Sequence, residues 1–181
     1  MFMRRRCTVK ITNKSIVTVL DPLEHLDKQS KDDSSNRNKR EQQYAFDFAF
    51  DKNTLQEEVY MYTTQFLLQG VIDGFNATVF AYGATGAGKT YTMVGNKDNP
   101  GVMVRSLNEL FNLLDESTCK GDKQCKIKIS FIEIYNETIR DLLNDSEGEL
   151  EIREDPSKGI TIVGVREVIV TNVNDVFRLL M

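Results

Sequence analysis

Tryptophan is absent from this chain, and histidine occurs once, as His25 among polar neighbours. An imidazole-based zinc site and a serine–histidine–aspartate triad therefore have almost no material. Cysteine is scarce: Cys7, Cys119 and Cys125 are odd in number and never stand in C-x-x-C spacing. They read as free thiols in a reducing compartment, not as a disulfide framework. No hydrophobic run approaches bilayer length, and no apolar stretch follows Arg4, Arg5 and Arg6 as a secretory leader would require. The net charge of −4 lacks the cationic excess of a general nucleic-acid binder. The expectation is a cytoplasmic protein with neither nucleic acid nor membrane as partner.

What is present is ordinary in bulk and specific in one place. The 181 residues, 40% hydrophobic and 28% charged, suit one domain with its own core. The specific place is residues 77–93, ATVFAYGATGAGKTYTM. An apolar, strand-like run over 77–82 breaks at Gly83, and Lys89 with Thr90 opens a predicted helix. Gly83, Gly88, Lys89 and Thr90 fit the phosphate-loop pattern G-x-x-x-x-G-K-[ST]. Glycines let backbone N–H groups come close to phosphate oxygens, and the helix start adds further donors and a positive dipole end. Lys89 is expected to reach the β- and γ-phosphates, and the Thr90 hydroxyl to hold Mg²⁺.

Around this loop the chain alternates short strands and helices. Residues 7–11 and 15–20 read as strands joined by a turn at Thr12, Asn13 and Lys14. The run VTVLD ending at Asp21 imitates a second magnesium site, but Pro22 follows and Asp21 reads as a turn residue. Residues 24–43 hold almost no apolar side chains and read as a flexible surface loop; Lys28, Lys31, Arg37, Lys39 and Arg40 form its basic component.

Residues 44–51 alternate, placing Tyr44, Phe46, Phe48 and Phe50 on one predicted core face of a strand. Thr54 and Glu57 make a predicted capping box for one long helix with Leu55, Val59, Tyr62, Phe66 and Leu67 on its apolar side. Beyond the loop, residues 102–114 predict a helix and residues 126–134 a strand. Residues 136–143 predict a short helix capped by Asn136. Residues 150–153 and 160–163 predict a hairpin, and 167–170 a strand. A last helix starts at Thr171 or Asn172, and its pattern runs to Met181 without a stop signal.

Three stretches together carry a family resemblance. Phe46-Asp47 with Phe50-Asp51, then residues 76–93 ending in GATGAGKTYTM, then SFIEIYNETIRDLL over 130–143, closely resemble the kinesin motor domain. The resemblance runs from about Cys7 to Met181. The GATGAGKT wording and the long basic loop look most like the eighth kinesin class, motors that walk to microtubule plus ends and act on them.

It implies an α/β fold of the phosphate-loop NTPase kind, with a mixed, mostly parallel central sheet flanked by helices and a small antiparallel N-terminal lobe. It implies ATP and Mg²⁺ held by Gly83, Ala84, Thr85, Gly86, Ala87, Gly88, Lys89, Thr90 and Tyr91, with Tyr91 beside the adenine. It implies microtubules as partner, a cytoskeletal location and a parent dimeric through a stalk. Arg153 and Lys158 on the hairpin, and Lys39 and Arg40 on the basic loop, become candidate tubulin contacts.

The chain also departs from the family. No proline follows Arg4, Arg5 and Arg6, where kinesins carry Arg-x-Arg-Pro beside the adenine. The switch segments Asn-x-x-Ser-Ser-Arg and Asp-Leu-Ala-Gly-Ser-Glu do not occur. The expectation is a motor domain incomplete at both ends: a nucleotide-binding part without the residues that sense the γ-phosphate, inactive in hydrolysis by itself and exposing apolar sheet surface.

Overall fold

The structure is a computed structural model that describes residues 9–20, 41–118, 125–144, 148–157 and 159–180. Arg4, Arg5, Arg6, Cys7, Asp21, His25, the basic residues Lys28 to Arg40 (Lys39 included), Cys119 and Lys158 lie outside them. The chain divides after Phe66 into two compact units.

The first unit holds a three-stranded antiparallel sheet in the order β1 (Val9–Ile11), β2 (Ile16–Leu20), β3 (Glu41–Ala45). The β1–β2 turn forms because the Asn13 carboxamide oxygen accepts from the N–H groups of both Ser15 and Ile16, at 2.8 Å. This hairpin is the one the sequence predicts. The third strand is displaced from its predicted place. It begins at Glu41, inside the predicted loop, and ends at Ala45, so 46–51 is not strand. Phe46 and Tyr44 are exposed rather than core. The aromatic alternation has a different use: Phe48 stacks on Tyr62 at 4.6 Å and tilts against Phe50 at 4.5 Å. The Lys14 ammonium lies 5.8 and 5.7 Å from the Phe48 and Tyr62 ring centres, within cation–π range.

The predicted long helix is two helices, α1 (Gln56–Thr63) and α2 (Gln65–Ile72), parted at Thr64. The cap is one residue later than the sequence suggests. Leu55 is the N-cap, and its N–H donates to Glu58 Oε2 at 3.2 Å. Leucine has no acceptor to return a bond, so only half of a capping box exists. In α1 the buried positions are Gln56 and Tyr60, followed by Thr64, while Leu55 is 62% exposed. Of the predicted apolar stripe, Leu55 and Phe66 face outward, Val59 and Leu67 are partly covered, and Tyr62 is covered on one side by Phe48. The α2 C-terminus is a Schellman motif. Gly74 takes φ +99°, Phe75 N–H donates to Gly70 O, and Gly74 N–H donates to Val71 O.

In the second unit follow α3 (Lys89–Met93), α4 (Val102–Thr118), β4 (Ile127–Ile129), β5 (Ile132–Tyr135), β6 (Thr138–Asp141), β7 (Glu151–Asp155), β8 (Gly159–Val163), β9 (Val168–Val170) and α5 (Val173–Leu180). Its strands pair antiparallel in three two-stranded sheets: β4 with β9, β5 with β6, β7 with β8. Buried Leu68, Val102, Val104, Ile139, Leu150, Val170 and Val176 form its apolar interior.

Several predictions for this unit are corrected, among them the single strand over 126–134, which is two, β4 and β5, in different sheets. Residues 136–143 are not a helix. Asn136 and Glu137 take φ +49° and +65°, turning β5 directly into β6 with Tyr135 opposite Thr138. Left-handed backbone at both central positions is the tight hairpin turn that matches strand twist, and asparagine tolerates it. Residues 77–82 form no strand among the described residues, and Phe80 and Tyr82 are 82% and 95% exposed. The mostly parallel central sheet that this run would join is likewise not assembled among the described residues. The 150–163 hairpin and the last helix stand as predicted, and the strand predicted over 167–170 spans 168–170.

Candidate nucleotide-binding site

The loop after the 77–82 run is shaped by its glycines. Gly86 and Gly88 sit at φ +81° and +96°, where a side chain would strain the backbone. Gly83 is tight for another reason: a Cβ there would stand 3.1 Å from the Ala87 Cβ. Ala87 N–H closes the turn on Ala84 O at 3.1 Å. Gly88 is then the N-cap of α3, so Lys89 and Thr90 occupy the first turn of that helix.

Lys89 folds back over the loop. Its ammonium donates to Gly83 O and Ala84 O, both at 2.9 Å, and so places a cation at the loop mouth. Two carbonyls hold the charge where phosphate oxygens would otherwise meet it. Thr90 is exposed, and its hydroxyl has no partner among the described residues. Tyr91, one position on, is half exposed. The donor set suits a polyphosphate: a cation, glycine-shaped backbone N–H groups and a free hydroxyl on one short turn. It offers Mg²⁺ one protein ligand, Thr90. The remainder would come from phosphate and water, the usual way this ion is held. Among the described residues no cluster of carboxylate, histidine and cysteine forms a cation site.

Hollows lie elsewhere. One of about 320 Å³ surrounds the Phe48–Tyr62 stack. Another of about 790 Å³ runs between the 94–100 loop, α4 and the start of α5. Neither includes a residue of 83–91. The loop lies open, and chemistry rather than cavity volume marks it as the site.

The other predicted contacts are scattered. Arg153 lies on β7 and pairs with Glu151 at 2.8 Å, both side chains well exposed. The ordered polar centre that the sequence does not reveal is Asp141, buried at the end of β6. Its two carboxylate oxygens accept from Leu143 N–H (2.8 Å) and Arg166 N–H (2.7 Å), fastening the hairpin to the segment leading into β9. Reading 136–143 as a helix hides it.

Loop, capping glycine and lysine define a phosphate-loop protein. Comparison with known proteins makes the class narrower. Residues 4–181 match the family model described as the kinesin motor domain, and the chain belongs to that family. It is 46% identical over 170 residues to a kinesin-like protein KIF19 of Xenopus laevis, covering 93% of this chain and 16% of that protein. The Homo sapiens KIF19 gives the same 46% over 169 residues. A kinesin-like protein KIN-8B of Arabidopsis thaliana is 43% identical over 177 residues, covering 98% of this chain and 21% of that one. These relatives are members of the eighth kinesin class, the class that the loop wording resembles. The chain therefore spans about a fifth or less of the length of the relatives it matches.

Proposed function

We propose that residues 83–91 bind Mg-ATP and that this chain is the nucleotide-binding part of a microtubule motor that couples ATP hydrolysis to movement. The observation that carries this reading is Lys89, held 2.9 Å from the carbonyls of Gly83 and Ala84 above left-handed Gly86 and Gly88. A cation anchored on the loop's own backbone is ready to exchange carbonyl oxygens for phosphate oxygens. In this reading Gly83 to Gly88 supply backbone donors, Thr90 ligates the metal, and Tyr91 lies against the base. The remaining strands of a kinesin-type central sheet would pair with 77–82.

The partner is microtubules, the setting the cytoskeleton, and dimerisation belongs to a stalk of the parent protein. Among the described residues no helix is long and apolar enough to cross a membrane. Arg153, Lys158, Lys39 and Arg40 are the proposed tubulin contacts. Arg153 would have to leave Glu151 to serve. The hairpin carries Glu151, Glu154 and Asp155 against Arg153 and Lys158, so its attraction to an acidic surface is weak.

Titration with a fluorescent ATP analogue, with and without Mg²⁺, tests the reading. Lys89→Ala should lower affinity at least about a hundredfold. Unchanged affinity would remove Lys89 from the site. In a turnover assay the 181-residue chain should show no stimulation by microtubules, since neither switch segment occurs in it. Robust stimulated turnover would mean that other residues sense the γ-phosphate.

A further inference from the structure

The phosphate loop is anchored on one side only. Upstream, 77–82 joins no sheet among the described residues. Downstream, α3 has five residues, far short of a helix that is stable by itself. The turn over residues 95–101 braces it. Thr90 O accepts from Val94 N–H (2.8 Å) and from Gly95 N–H (3.2 Å). Gly101 N–H donates to Val94 O at 2.9 Å, and Gly95 and Pro100 form an isolated antiparallel bridge.

The tip of this turn is organised by one side chain. Asn96 Oδ1 accepts from Asp98 N–H (3.1 Å) and Asn99 N–H (2.7 Å), while Asn96 N–H donates to Asn99 O at 3.0 Å. The far wall is tied by Arg105, whose Nε donates to Pro100 O at 2.9 Å from the first turn of α4. The approach is close enough to demand glycine twice. A Cβ on Gly95, at φ +72°, would lie 2.2 Å from Asn99 O. One on Gly101 would lie 2.5 Å from Thr92 O. Val102 and Val104 just beyond are 3% exposed, so α4 is seated in the interior of its unit.

We infer that residues 95–101 act as a splint that transfers the rigidity of α4 to α3, with Asn96 as a positioning residue for Lys89 and Thr90. This rests on the nucleotide reading of the loop. Asn96 touches no phosphate in this scheme; it acts through Thr90 O and the backbone of α3. Because its side chain is exposed, removing it should loosen the turn without unfolding the unit.

The test uses the 181-residue chain and two readouts, amide hydrogen exchange without nucleotide and titration with the fluorescent ATP analogue. Asn96→Ala should speed exchange of the Thr92 and Val94 amides about tenfold and weaken the analogue about tenfold, with circular dichroism unchanged. Asn96→Asp keeps the acceptor oxygen and should restore both. Gly101→Ala should show the same two losses. Unchanged exchange in Asn96→Ala, or failure of Asn96→Asp to restore it, overturns the splint whatever the nucleotide does. Faster exchange with unchanged affinity overturns the positioning role. If the unaltered chain binds no analogue while exchange responds as expected, the nucleotide reading fails and the positioning role with it, and the mechanical link alone stands.

Discussion

Lys89, Thr90 and Asp175 each do their work through one or two atoms. Lys89 is tied to two loop carbonyls, so in the proposed reading nucleotide entry would exchange those partners for phosphate oxygens. Thr90 offers an exposed hydroxyl one residue later. Thr90→Ala should weaken Mg-ATP about tenfold while leaving metal-free ATP unaffected, and the two titrations compared would check it. Asp175 serves structure. Its Oδ2 accepts from Thr171 N–H (3.1 Å), the Thr171 hydroxyl (2.8 Å) and the Asn172 carboxamide (3.0 Å). The Thr171 backbone bond, then its hydroxyl bond, hold the Asp175 carboxyl below its ordinary pKa against an opposing effect of desolvation. A lowered folded pKa means the charged form favours the folded state. The contribution is complete above the unfolded carboxylate's pKa and disappears as pH falls through the lower folded one. Protection of the α5 amides, taken relative to intrinsic exchange at each pH, should therefore fall on acidification through that window, and Asp175→Asn should flatten the dependence.

Elements show where local pattern suffices and where it fails. The cap of α5 was legible because Asn172 and Asp175 stand at N-cap and N3, and Asn172 Oδ1 indeed accepts from Asp175 N–H at 3.0 Å. Asn172→Ala should cost about 1 kcal/mol by denaturant titration. The 136–143 segment misled for a physical reason. Asparagine before a charged and apolar run suits a helix N-cap and a left-handed hairpin turn equally. The β5–β6 register and the Asp141 bonds to Leu143 and Arg166 favour the turn. A second clue was present: Phe131 and Ile132 are adjacent apolar residues, where strict alternation fails, and the strand breaks there into β4 and β5. Glu137 at φ +65° has no glycine's freedom. Glu137→Gly should thus stabilise the hairpin by up to about 1 kcal/mol, measured as a raised denaturation midpoint. A fall would mean that the Glu137 side chain supports the turn.

At the scale of the whole molecule, many large apolar side chains among the described residues are exposed. Phe80 and Tyr82 precede the loop in the open, Tyr135 and Ile134 stand out on β5, and Ile160 on β8 does the same. Surface of this kind favours association with other apolar surface. Phe80→Ser should reduce binding of a hydrophobic dye and self-association in light scattering, with stability changed by less than about 0.5 kcal/mol. Val104→Ala, by contrast, empties a buried site beside the splint and should cost about 2 kcal/mol. The sequence by itself determined the glycine and lysine pattern of the loop, the hairpins at 9–20 and 150–163, the cap of α5 and the family, because each depends on contacts within a few residues or on exact residue types. Only tertiary structure decided that 77–82 stays unpaired, that the helix after Leu55 buries Gln56 and Tyr60 instead of its apolar stripe, and that a turn behind Thr90 steadies the loop. Strand pairing and the choice of buried face depend on what lies opposite in space, and that neighbour is not encoded in the spacing of the segment itself.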